Sequence, residues 1–203
     1  MENLQNTGER QVGKNLGQIA NDHVKRYEWA AKVLSDLGVE RVVDLACGVG
    51  YGANIMANAG VKVLAVDIDS ASIEFGKFYY DHENITWLCH DAGSFLDVGG
   101  LPNVVVSFET IEHVKDHYSL MNVFKGFADT LICSVPNQDV VPFTGETHPF
   151  HYRHYTPKEF LGLVKSAGYY VDKICTQYDK HEGTVFEDAD DGKTLVILAH
   201  RSA

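Results

Sequence analysis

Two short segments in the second half of the chain gather residue types that can carry out chemistry. One is the run Glu109–His113, with the letters ETIEH, and the other supplies the histidines His148, His151 and His154. If a helical turn begins at Glu109, its carboxylate, that of Glu112 and the His113 ring stand at i, i+3 and i+4, on one face. Such a face predicts either a divalent-metal site that positions a hydroxyl group and lowers its pKa, or a general base at His113 that the two acids orient.

A role without a ligand also fits these residues. Glu109 and Glu112 near the positive end of a helix would stabilise it, with His113 packed beneath a neighbouring group. The loop Pro149–Tyr155 interleaves histidine with aromatic residues, which can close a pocket by packing alone. Because functional residues concentrate on loops at strand ends, we expect this loop to act as a lid that contacts a substrate. The acidic run Glu187–Asp191 predicts a solvated hairpin loop.

A second group of candidates follows the first predicted strand, in the loop Asp44-Leu-Ala-Cys-Gly48-Val-Gly50-Tyr-Gly52. Its glycines allow the backbone to approach a ligand closely and to aim amide groups at it from a helix start. The spacing is GxGxG rather than the GxGxxG of dinucleotide sites. A buried Asp44 suits a ligand with an amine or a positive centre, although the loop also fits a tight strand-to-helix turn in which Asp44 caps backbone amides.

Acidic residues also end the next two predicted strands. Asp67 lies about 20 residues beyond the glycine loop, where a carboxylate accepts hydrogen bonds from ribose hydroxyls. The run His90–Ala92 ends the third strand, where a carboxylate or a backbone group can read an adenine amino group. Asp69 is expected to be the N-cap of the helix that Ser70 opens.

The elements that must position these residues alternate along the chain. Apolar, β-branched runs predict five buried strands, at Arg41–Ala46, Val61–Val66, Ile85–Cys89, Val104–Phe108 and Leu131–Val135. Amphipathic segments predict helices near Tyr51–Ala59, Ser70–Tyr80, His117–Gly126 and Pro157–Ala167. The alternation predicts an α/β, Rossmann-like, doubly wound sheet with helices on both faces and ligand loops at the carboxyl ends of the strands.

The two ends of the chain depart from this alternation. Leu16–Leu37 predicts a leading helix that ends at Gly38. Tyr169–Gln177 and Thr194–Ala199 predict two strands joined by a polar loop that has no room for a crossover helix, and therefore an antiparallel pair. The predicted sheet has seven strands, mostly parallel, with an antiparallel last strand.

Length and composition limit the function classes. The 203 residues suit a single domain, with an N-terminal lid and helix over 1–38 and the Rossmann-like core over 39–203. The net charge of −11 disfavours a nucleic acid or an anionic membrane as a partner, because the basic residues are scattered singly.

The same composition predicts a cytoplasmic protein. No apolar run reaches the roughly 20 residues of a membrane helix, and the polar stretch Met1–Gln18 lacks the apolar core of a secretory signal. Four widely spaced cysteines are expected to be reduced core residues rather than disulfides or zinc ligands; they are Cys47, Cys89, Cys133 and Cys175.

Five motifs in order resemble those of class I S-adenosylmethionine-dependent methyltransferases, and the resemblance covers nearly the whole chain. They are VVDLACGVGYG (Val42–Gly52), VLAVDID (Val63–Asp69), HDA (His90–Ala92), VVVSFETIEHV (Val104–Val114) and SVPN (Ser134–Asn137). TGER (Thr7–Arg10) and HPFHYRHYTPKEF (His148–Phe160) resemble one branch of that family, whose members often accompany glycan-building enzymes. The resemblance implies an enzyme that uses S-adenosylmethionine as its methyl donor.

The resemblance also implies roles around the cofactor. The glycine loop would hold the methionine part, through the residues Asp44, Ala46, Cys47, Gly48 and Gly50. Asp67 would hold the ribose hydroxyls, and Ile68 would pack on the adenine. Asp91 and Ala92 would read the adenine edge, and Ser107 would line the sulfonium pocket.

An ExxEH run at this place is shared by small-RNA 3′-terminal 2′-O-methyltransferases and ubiquinone-pathway O-methyltransferases, in which it binds a divalent metal with a later histidine. Here His151 matches that histidine, because it precedes Thr156 in a similar H-x-x-x-x-T-x-x-E-F pattern. The implied ligands of a Mg, Mn, Fe or Zn ion are Glu109, Glu112, His113 and His151. Many members carry a glutamate–histidine pair here without a metal. In either case the catalytic candidates are His113, Glu109 and His151.

The expected activity is methyl transfer to a hydroxyl oxygen of a small molecule such as a sugar. A metal-dependent RNA 2′-O-methyltransferase is the first alternative, and the net charge of −11 argues against it. A nicotinamide-dependent oxidoreductase is disfavoured by the GxGxG spacing. A silent cofactor-binding subunit is disfavoured by the intact ETIEH run. The acceptor, the methylated atom and the oligomeric state stay open at this point.

Overall fold

The chain divides into two compact units, Met1–Pro102 and Asn103–Ala203. The computed structural model describes residue 4 and residues 10–97, 100–178 and 182–202. Each unit builds parallel strands from the apolar runs of the sequence and carries helices between them. The single domain expected over residues 1–203 stays a prediction.

In the first unit, three parallel strands alternate with helices. The elements are α1 (Asn21–Asp36), β1 (Arg41–Leu45), α2 (Tyr51–Asn58), β2 (Lys62–Asp67), α3 (Ser70–Tyr79) and β3 (Ile85–Cys89), with 3₁₀ turns at Leu16–Gln18 and Ala92–Asp97. β2 lies between β1 and β3 and is parallel to both, with Leu45 beside Val66 and Asp67 beside Cys89. Because parallel strands end at one edge of a sheet, the loops after β1, β2 and β3 lie together.

The three strands and the helices α2 and α3 of this unit are confirmed to within one residue at each end, but the leading helix is shorter than expected. The predicted span of 16–37 holds a 3₁₀ turn and then α1, because Ile19 and Ala20 are extended, with ψ angles of 141° and 135°. Ile19 is buried at this interruption. The predicted end is confirmed: Gly38 has a φ of +67°, and the Val39 amide donates to the carbonyl of Leu34.

In the second unit, a parallel pair of strands continues into an antiparallel group. The elements are β4 (Val104–Ser107), α4 (His117–Phe127), β5 (Thr130–Pro136), α5 (Pro157–Ser166), β6 (Tyr169–Gln177), β7 (Val185–Glu187) and β8 (Thr194–Arg201), with a 3₁₀ turn at Ile111–His113. The strand order is β4-β5-β8-β6-β7. β4 is parallel to β5, and β8 is antiparallel to both β5 and β6. The predicted antiparallel pair at the end of the chain is thus confirmed.

The prediction of seven strands is wrong, because β7 makes the total eight across the described residues. β7 pairs antiparallel with the end of β6 and lies at the outer edge of the sheet. Its three residues fall in a polar stretch, too few to show an alternating pattern. Glu187, expected in a solvated loop, ends this strand, and its carboxylate pairs with the Lys173 ammonium at 2.6 Å.

The loop before α5 is held at its end by helix-capping contacts. The Thr156 hydroxyl accepts from the Glu159 amide, and the Glu159 carboxylate accepts from the Thr156 amide, which makes a complete capping box. The same carboxylate accepts from the Arg153 guanidinium at 2.9 Å. These contacts fix the last residues of this loop, just before α5.

The four cysteines are free thiols, as expected. Cys47, Cys133 and Cys175 are buried, whereas Cys89 is exposed and departs from the expected core position. Within the described ranges, no helix has both the length and the apolar character needed to cross a membrane.

Candidate functional site

The loop after β1 has an unusual backbone. Ala46, Gly48 and Gly50 all adopt positive φ angles, of 65°, 56° and 83°. A Cβ at Gly50 would lie 2.2 Å from the Trp87 ring, whereas a Cβ at Gly48 would meet no described atom within 4 Å. Gly50 is therefore required by a close contact as well as by its φ, while Gly48 faces open space. Cys47, which precedes Gly48, is buried, and its amide donates to the Val66 carbonyl at 2.9 Å.

Asp67, at the end of β2, fastens this loop to the next one. Its Oδ2 accepts from the Gly48 amide at 2.8 Å, and its Oδ1 accepts from the Asp69 amide at 2.9 Å. Burial raises the pKa of Asp67, and these two amides oppose the rise. The side chain of Ile68, the next residue, is 67% exposed. Asp69 caps α3 through the amides of Ala71 and Ser72, as predicted.

Asp44, near the end of β1, is a fully buried carboxyl group. Its Oδ1 accepts from the Tyr27 hydroxyl at 3.1 Å, while its Oδ2 has no hydrogen-bond partner among the described residues. Burial raises the pKa of Asp44 to about 7. A buried oxygen of this kind is stabilised by a donor from a ligand, above all a cationic one.

Three residues around Asp44 were not singled out in the sequence. The Tyr27 ring contacts that of Tyr51 edge-on at 5.6 Å, and the Tyr51 hydroxyl lies 2.9 Å from Nδ1 of His23. Burial and the nearby Asp44 raise the pKa of the Tyr27 hydroxyl well above its usual value. The helical spacing of apolar residues predicts that α1 packs inward, but no local signal places a hydroxyl on Asp44.

The loop after β3 carries the predicted residues Asp91 and Ala92. The His90 amide donates to the Asp67 carbonyl at 3.0 Å, which fixes this loop beside the end of β2. Asp91 is exposed, and Ala92, half-buried, opens the 3₁₀ turn. The structure therefore brings the sequence-predicted residues of the first unit together on three neighbouring loops.

The segment before α1 is fastened to α3. The Arg10 guanidinium donates to Asp69 at 2.5 Å and to the Ser72 hydroxyl at 2.7 Å, and the Tyr80 hydroxyl donates to the Gly13 carbonyl at 2.7 Å. Arg10 thus lies against the loop after β2, and the lid role expected for this segment stays a prediction. Thr7, Gly8 and Glu9 of the TGER motif lie outside the described residues.

In the second unit, the expected helical turn beginning at Glu109 is wrong. Only Ile111–His113 form a turn, and Glu109 has a φ of +48°. Glu109 is held outside the turn because the Ser134 hydroxyl donates to its carboxylate at 2.9 Å and accepts from its amide at 3.1 Å. Ser107, the last residue of β4, is fully buried.

Glu112, His113 and His151 converge. One ligand atom from each lies within 4.8 Å of the other two, a grouping that can hold a metal ion. The backbone joins the two segments, since the Tyr152 amide donates to the Glu112 carbonyl at 2.7 Å and His113 Nδ1 lies 3.0 Å from the Phe150 carbonyl. Glu109, the fourth predicted ligand, is not in this group.

His151 is also part of a cluster of imidazoles on the loop between β5 and α5. Its Nδ1 lies 2.7 Å from Nε2 of His154, whose own Nδ1 lies 2.6 Å from the Val141 carbonyl. Burial, followed by the neighbouring rings of His113 and His154, lowers the pKa of His151 to about 4, while the charge of Glu109 opposes this shift. His151 is therefore neutral at pH 7, the state in which imidazole binds metals.

The fold and family follow from comparison with known proteins. A family model described as a methyltransferase domain matches residues 21–174. A probable S-adenosylmethionine-dependent methyltransferase of Mycobacterium tuberculosis is 28% identical over 182 residues, which cover 83% of this chain and 62% of the relative. A ubiquinone biosynthesis O-methyltransferase of Bradyrhizobium diazoefficiens is 29% identical over 103 residues, which cover 50% of this chain and 40% of the relative. The chain thus spans less than two thirds of the length of these relatives.

Solved structures show the same architecture. The methyltransferase domain of bacterial CtHen1-C superposes with a TM-score of 0.68 at 20% identity, over 90% of this chain and 100% of that one. A Synechocystis magnesium protoporphyrin IX methyltransferase with bound S-adenosylmethionine superposes with a TM-score of 0.66 at 17% identity, over 89% and 80% of the two chains. The chain has the α/β, Rossmann-like fold and belongs to the methyltransferase-domain family.

Proposed function

We propose that this chain transfers a methyl group from S-adenosylmethionine to a hydroxyl oxygen of a small molecule, with a divalent metal held by Glu112, His113 and His151. The observation that carries the proposal is the convergence of one carboxylate and two imidazoles to within 4.8 Å. Family membership supports the methyl donor. The relative named as an O-methyltransferase supports oxygen as the methylated atom.

The residues of the first unit fit S-adenosylmethionine. The buried Oδ2 of Asp44 suits the donor's amino group, and the open face of Gly48 suits a ligand that approaches the backbone. Each carboxylate oxygen of Asp67 accepts one amide and retains capacity for a ribose hydroxyl. The exposed Ile68 offers apolar surface to an adenine ring.

Three further cofactor assignments extend the proposal. Asp91 and Ala92, on the loop beside the end of β2, are assigned to the adenine edge. Ser107 is assigned to the sulfonium pocket, an assignment that rests on the family resemblance. The remaining loop residues, Ala46, Cys47 and Gly50, shape the backbone on which the methionine part would lie.

The donor set of the second unit fits a metal ion. Two imidazole nitrogens with one carboxylate suit Mn²⁺, Fe²⁺ or Zn²⁺ better than Mg²⁺, because nitrogen ligands favour the later metals. The low pKa of His151 supports the fit, since the neutral ring needs no deprotonation before it binds. When bound, a divalent metal lowers the pKa of a hydroxyl group that it contacts.

The chemistry is an in-line displacement. The acceptor oxygen bonds to the methyl carbon while the carbon–sulfur bond breaks, and the sulfur leaves as a neutral thioether. The hydroxyl proton needs an acceptor, and we assign it to Glu109. Two observations support that role: the Ser134 hydroxyl orients the Glu109 carboxylate, and its positive φ is a strained conformation of the kind that clusters at functional sites.

A compact acceptor fits the surroundings better than a polyanion. The net charge of −11 opposes RNA. Phe150 and Tyr152, on either side of His151, are 41% and 56% exposed. Their rings offer apolar surface next to the cluster, which suits a sugar or a phenol.

The experiment is a methyl-transfer assay with labelled S-adenosylmethionine over sugars, phenols, nucleotides and short RNAs. It is run after chelation and after adding back Mg²⁺, Mn²⁺, Fe²⁺ or Zn²⁺. Glu112→Gln tests the cluster, and Glu146→Gln, at an exposed acid on the loop between β5 and α5, is the matched control.

We expect transfer to a small hydroxylated molecule, lost in Glu112→Gln and kept in Glu146→Gln. Preferred methylation of RNA would contradict the small-molecule acceptor and support an RNA 2′-O-methyltransferase instead. Turnover that is insensitive to chelation would contradict the proposed metal site. His113 would then be a general base that acts without a metal.

A further inference from the structure

A chain of two hydrogen bonds lies behind the metal-binding face of His151. The Val141 carbonyl lies 2.6 Å from Nδ1 of His154, and Nε2 of His154 lies 2.7 Å from Nδ1 of His151. His154 is only 3% exposed, and its ring contacts those of His148 and Phe143 at centroid distances of 4.5 and 5.5 Å. The ring is therefore held by the contact with Val141 and by packing against these two rings.

The chain has one consistent pattern of protons when both rings are neutral. A carbonyl oxygen only accepts, so Nδ1 of His154 carries the proton that reaches Val141. Nε2 of a neutral His154 is then an acceptor, and the proton between the two rings belongs to Nδ1 of His151. A neutral His151 therefore has a lone pair at Nε2, the nitrogen on the far side of its ring.

The measurements below are made at pH 8, above the ordinary pKa of about 6.5 of an imidazole, so that histidine rings are in the neutral form.

We infer that His154 is a positioning residue that holds His151 in the tautomer with Nδ1 protonated and Nε2 unprotonated, so that Nε2 is the atom offered to a metal. This inference rests on the proposed metal site. His113, the other histidine of the proposed metal site, is oriented by a single contact, since its Nδ1 faces the Phe150 carbonyl at 3.0 Å. A metal-ligating histidine commonly donates its second ring N–H to a fixed acceptor, and loss of that acceptor costs about 10–100-fold in metal affinity.

A purely structural role for His154 makes a different prediction. If the ring only fills space, an apolar residue of similar size would keep the tautomer of His151 and the affinity for a metal. If it acts as an acceptor, a side chain with a carbonyl oxygen would restore what an apolar one loses. His154→Leu and His154→Gln separate the two roles.

The first measurement is made on the metal-free full chain with ¹⁵N-labelled histidine. Long-range ¹H–¹⁵N spectra distinguish a protonated ring nitrogen from an unprotonated one. We expect His151 in the natural chain to be protonated at Nδ1 alone, to become a mixture of tautomers in His154→Leu, and to return to Nδ1 protonation in His154→Gln.

The second measurement is Mn²⁺ affinity by calorimetry. We expect about 10–100-fold weaker binding in His154→Leu, with most of the loss restored in His154→Gln. The matched control is His82→Leu, since His82 lies on the loop between α3 and β3, outside the cluster, where its Nδ1 accepts from the Asn84 amide at 3.1 Å. We expect the control to bind Mn²⁺ as the natural chain does.

The outcomes separate the inference from the proposed function. Protonation of His151 at Nε2 in the natural chain, or equal affinity in His154→Leu, overturns the role of His154 even if a metal binds. Absence of Mn²⁺ binding in the natural chain overturns the metal site, and the spectra then still decide the tautomer. If His154→Leu does not fold, the spectrum of the natural chain and the affinity of His154→Gln decide the inference.

Discussion

The Gly48 amide donates a hydrogen bond of 2.8 Å to the carboxylate of Asp67, and this bond joins the loop after β1 to the loop after β2. Asp67 therefore holds the shape of the glycine loop as well as offering lone pairs to a ligand. On the proposed function, a substitution at Asp67 is therefore expected to weaken binding of S-adenosylmethionine.

We expect Asp67→Ala to weaken binding of S-adenosylmethionine at least tenfold, because hydrogen bonds to a charged acceptor contribute about 1.5–3 kcal/mol each. Calorimetry measures the change, and the exposed acid Asp36 provides the control variant Asp36→Ala. Unaltered affinity in Asp67→Ala would remove Asp67 from the ribose site. Binding of NAD in place of S-adenosylmethionine would contradict the cofactor itself.

The buried Asp44 predicts a pH dependence of folding stability. Its folded pKa of about 7 lies above the ordinary aspartate value of 3.8, so between these values the folded chain binds more protons than the unfolded chain. Stability linked to Asp44 is thus highest below about pH 4 and falls as the pH rises to about 7. We expect Asp44→Asn to remove this fall, as measured by urea unfolding across that range.

The difference between the two proteins reports mainly on Asp44, because Asp67, whose pKa burial also raises, is present in both. If the free energy of unfolding changed with pH in the same way in the natural chain and in Asp44→Asn, ionisation of Asp44 would cost little folding stability. S-adenosylmethionine binding should weaken in Asp44→Asn, since a neutral amide attracts a cationic amino group less.

Gly50 and Gly60 form a matched pair for testing the packing of the glycine loop. Both have positive φ angles, of 83° and 92°, but a Cβ at Gly50 would lie 2.2 Å from Trp87, while one at Gly60 would meet no described atom within 4 Å. We expect Gly60→Ala to lower the free energy of unfolding by about 1–2 kcal/mol, from backbone strain alone. Gly50→Ala should cost more and weaken binding of S-adenosylmethionine; equal costs in urea unfolding would contradict the close contact.

Arg10 tests the role of the segment before α1. Its ion pair with Asp69 is partly exposed, so Arg10→Ala should lower the free energy of unfolding by no more than about 1 kcal/mol. We expect a larger effect on turnover, measured as kcat/KM for S-adenosylmethionine, because Arg10 holds the segment beside Asp67. Deletion of Met1–Gln18 should reduce turnover further. An unchanged rate in both variants would show that the segment does not serve the site.

The alternating strands and helices could be predicted because their signals are local. The β-branched runs that form β1 to β5 each extend over at least four residues, and their boundaries agree with the structure to within one residue. β7 could not be predicted, because three residues carry no measurable alternation and the strand forms only against β6. The break in the leading helix depends in the same way on the burial of Ile19.

The residues of the candidate site could be predicted by type but not by geometry. The spacing of Glu109, Glu112 and His113 predicts a shared face only if the backbone is helical there, and the contact with Ser134 holds Glu109 outside the turn. The hydroxyl of Tyr27 on Asp44 and the imidazole of His154 behind His151 depend on tertiary packing. Sequence spacing alone does not contain these contacts.

Metal-assisted methyl transfer is tested most directly by turnover of one acceptor from the small-molecule panel, measured before chelation, after it, and after Mn²⁺ is returned. We expect chelation to abolish transfer and Mn²⁺ to restore it in the natural chain, but not in Glu112→Ala or His151→Ala. Full activity after chelation, combined with a loss of about 10²–10⁴ in rate for His113→Ala, would contradict the metal and identify His113 as the general base.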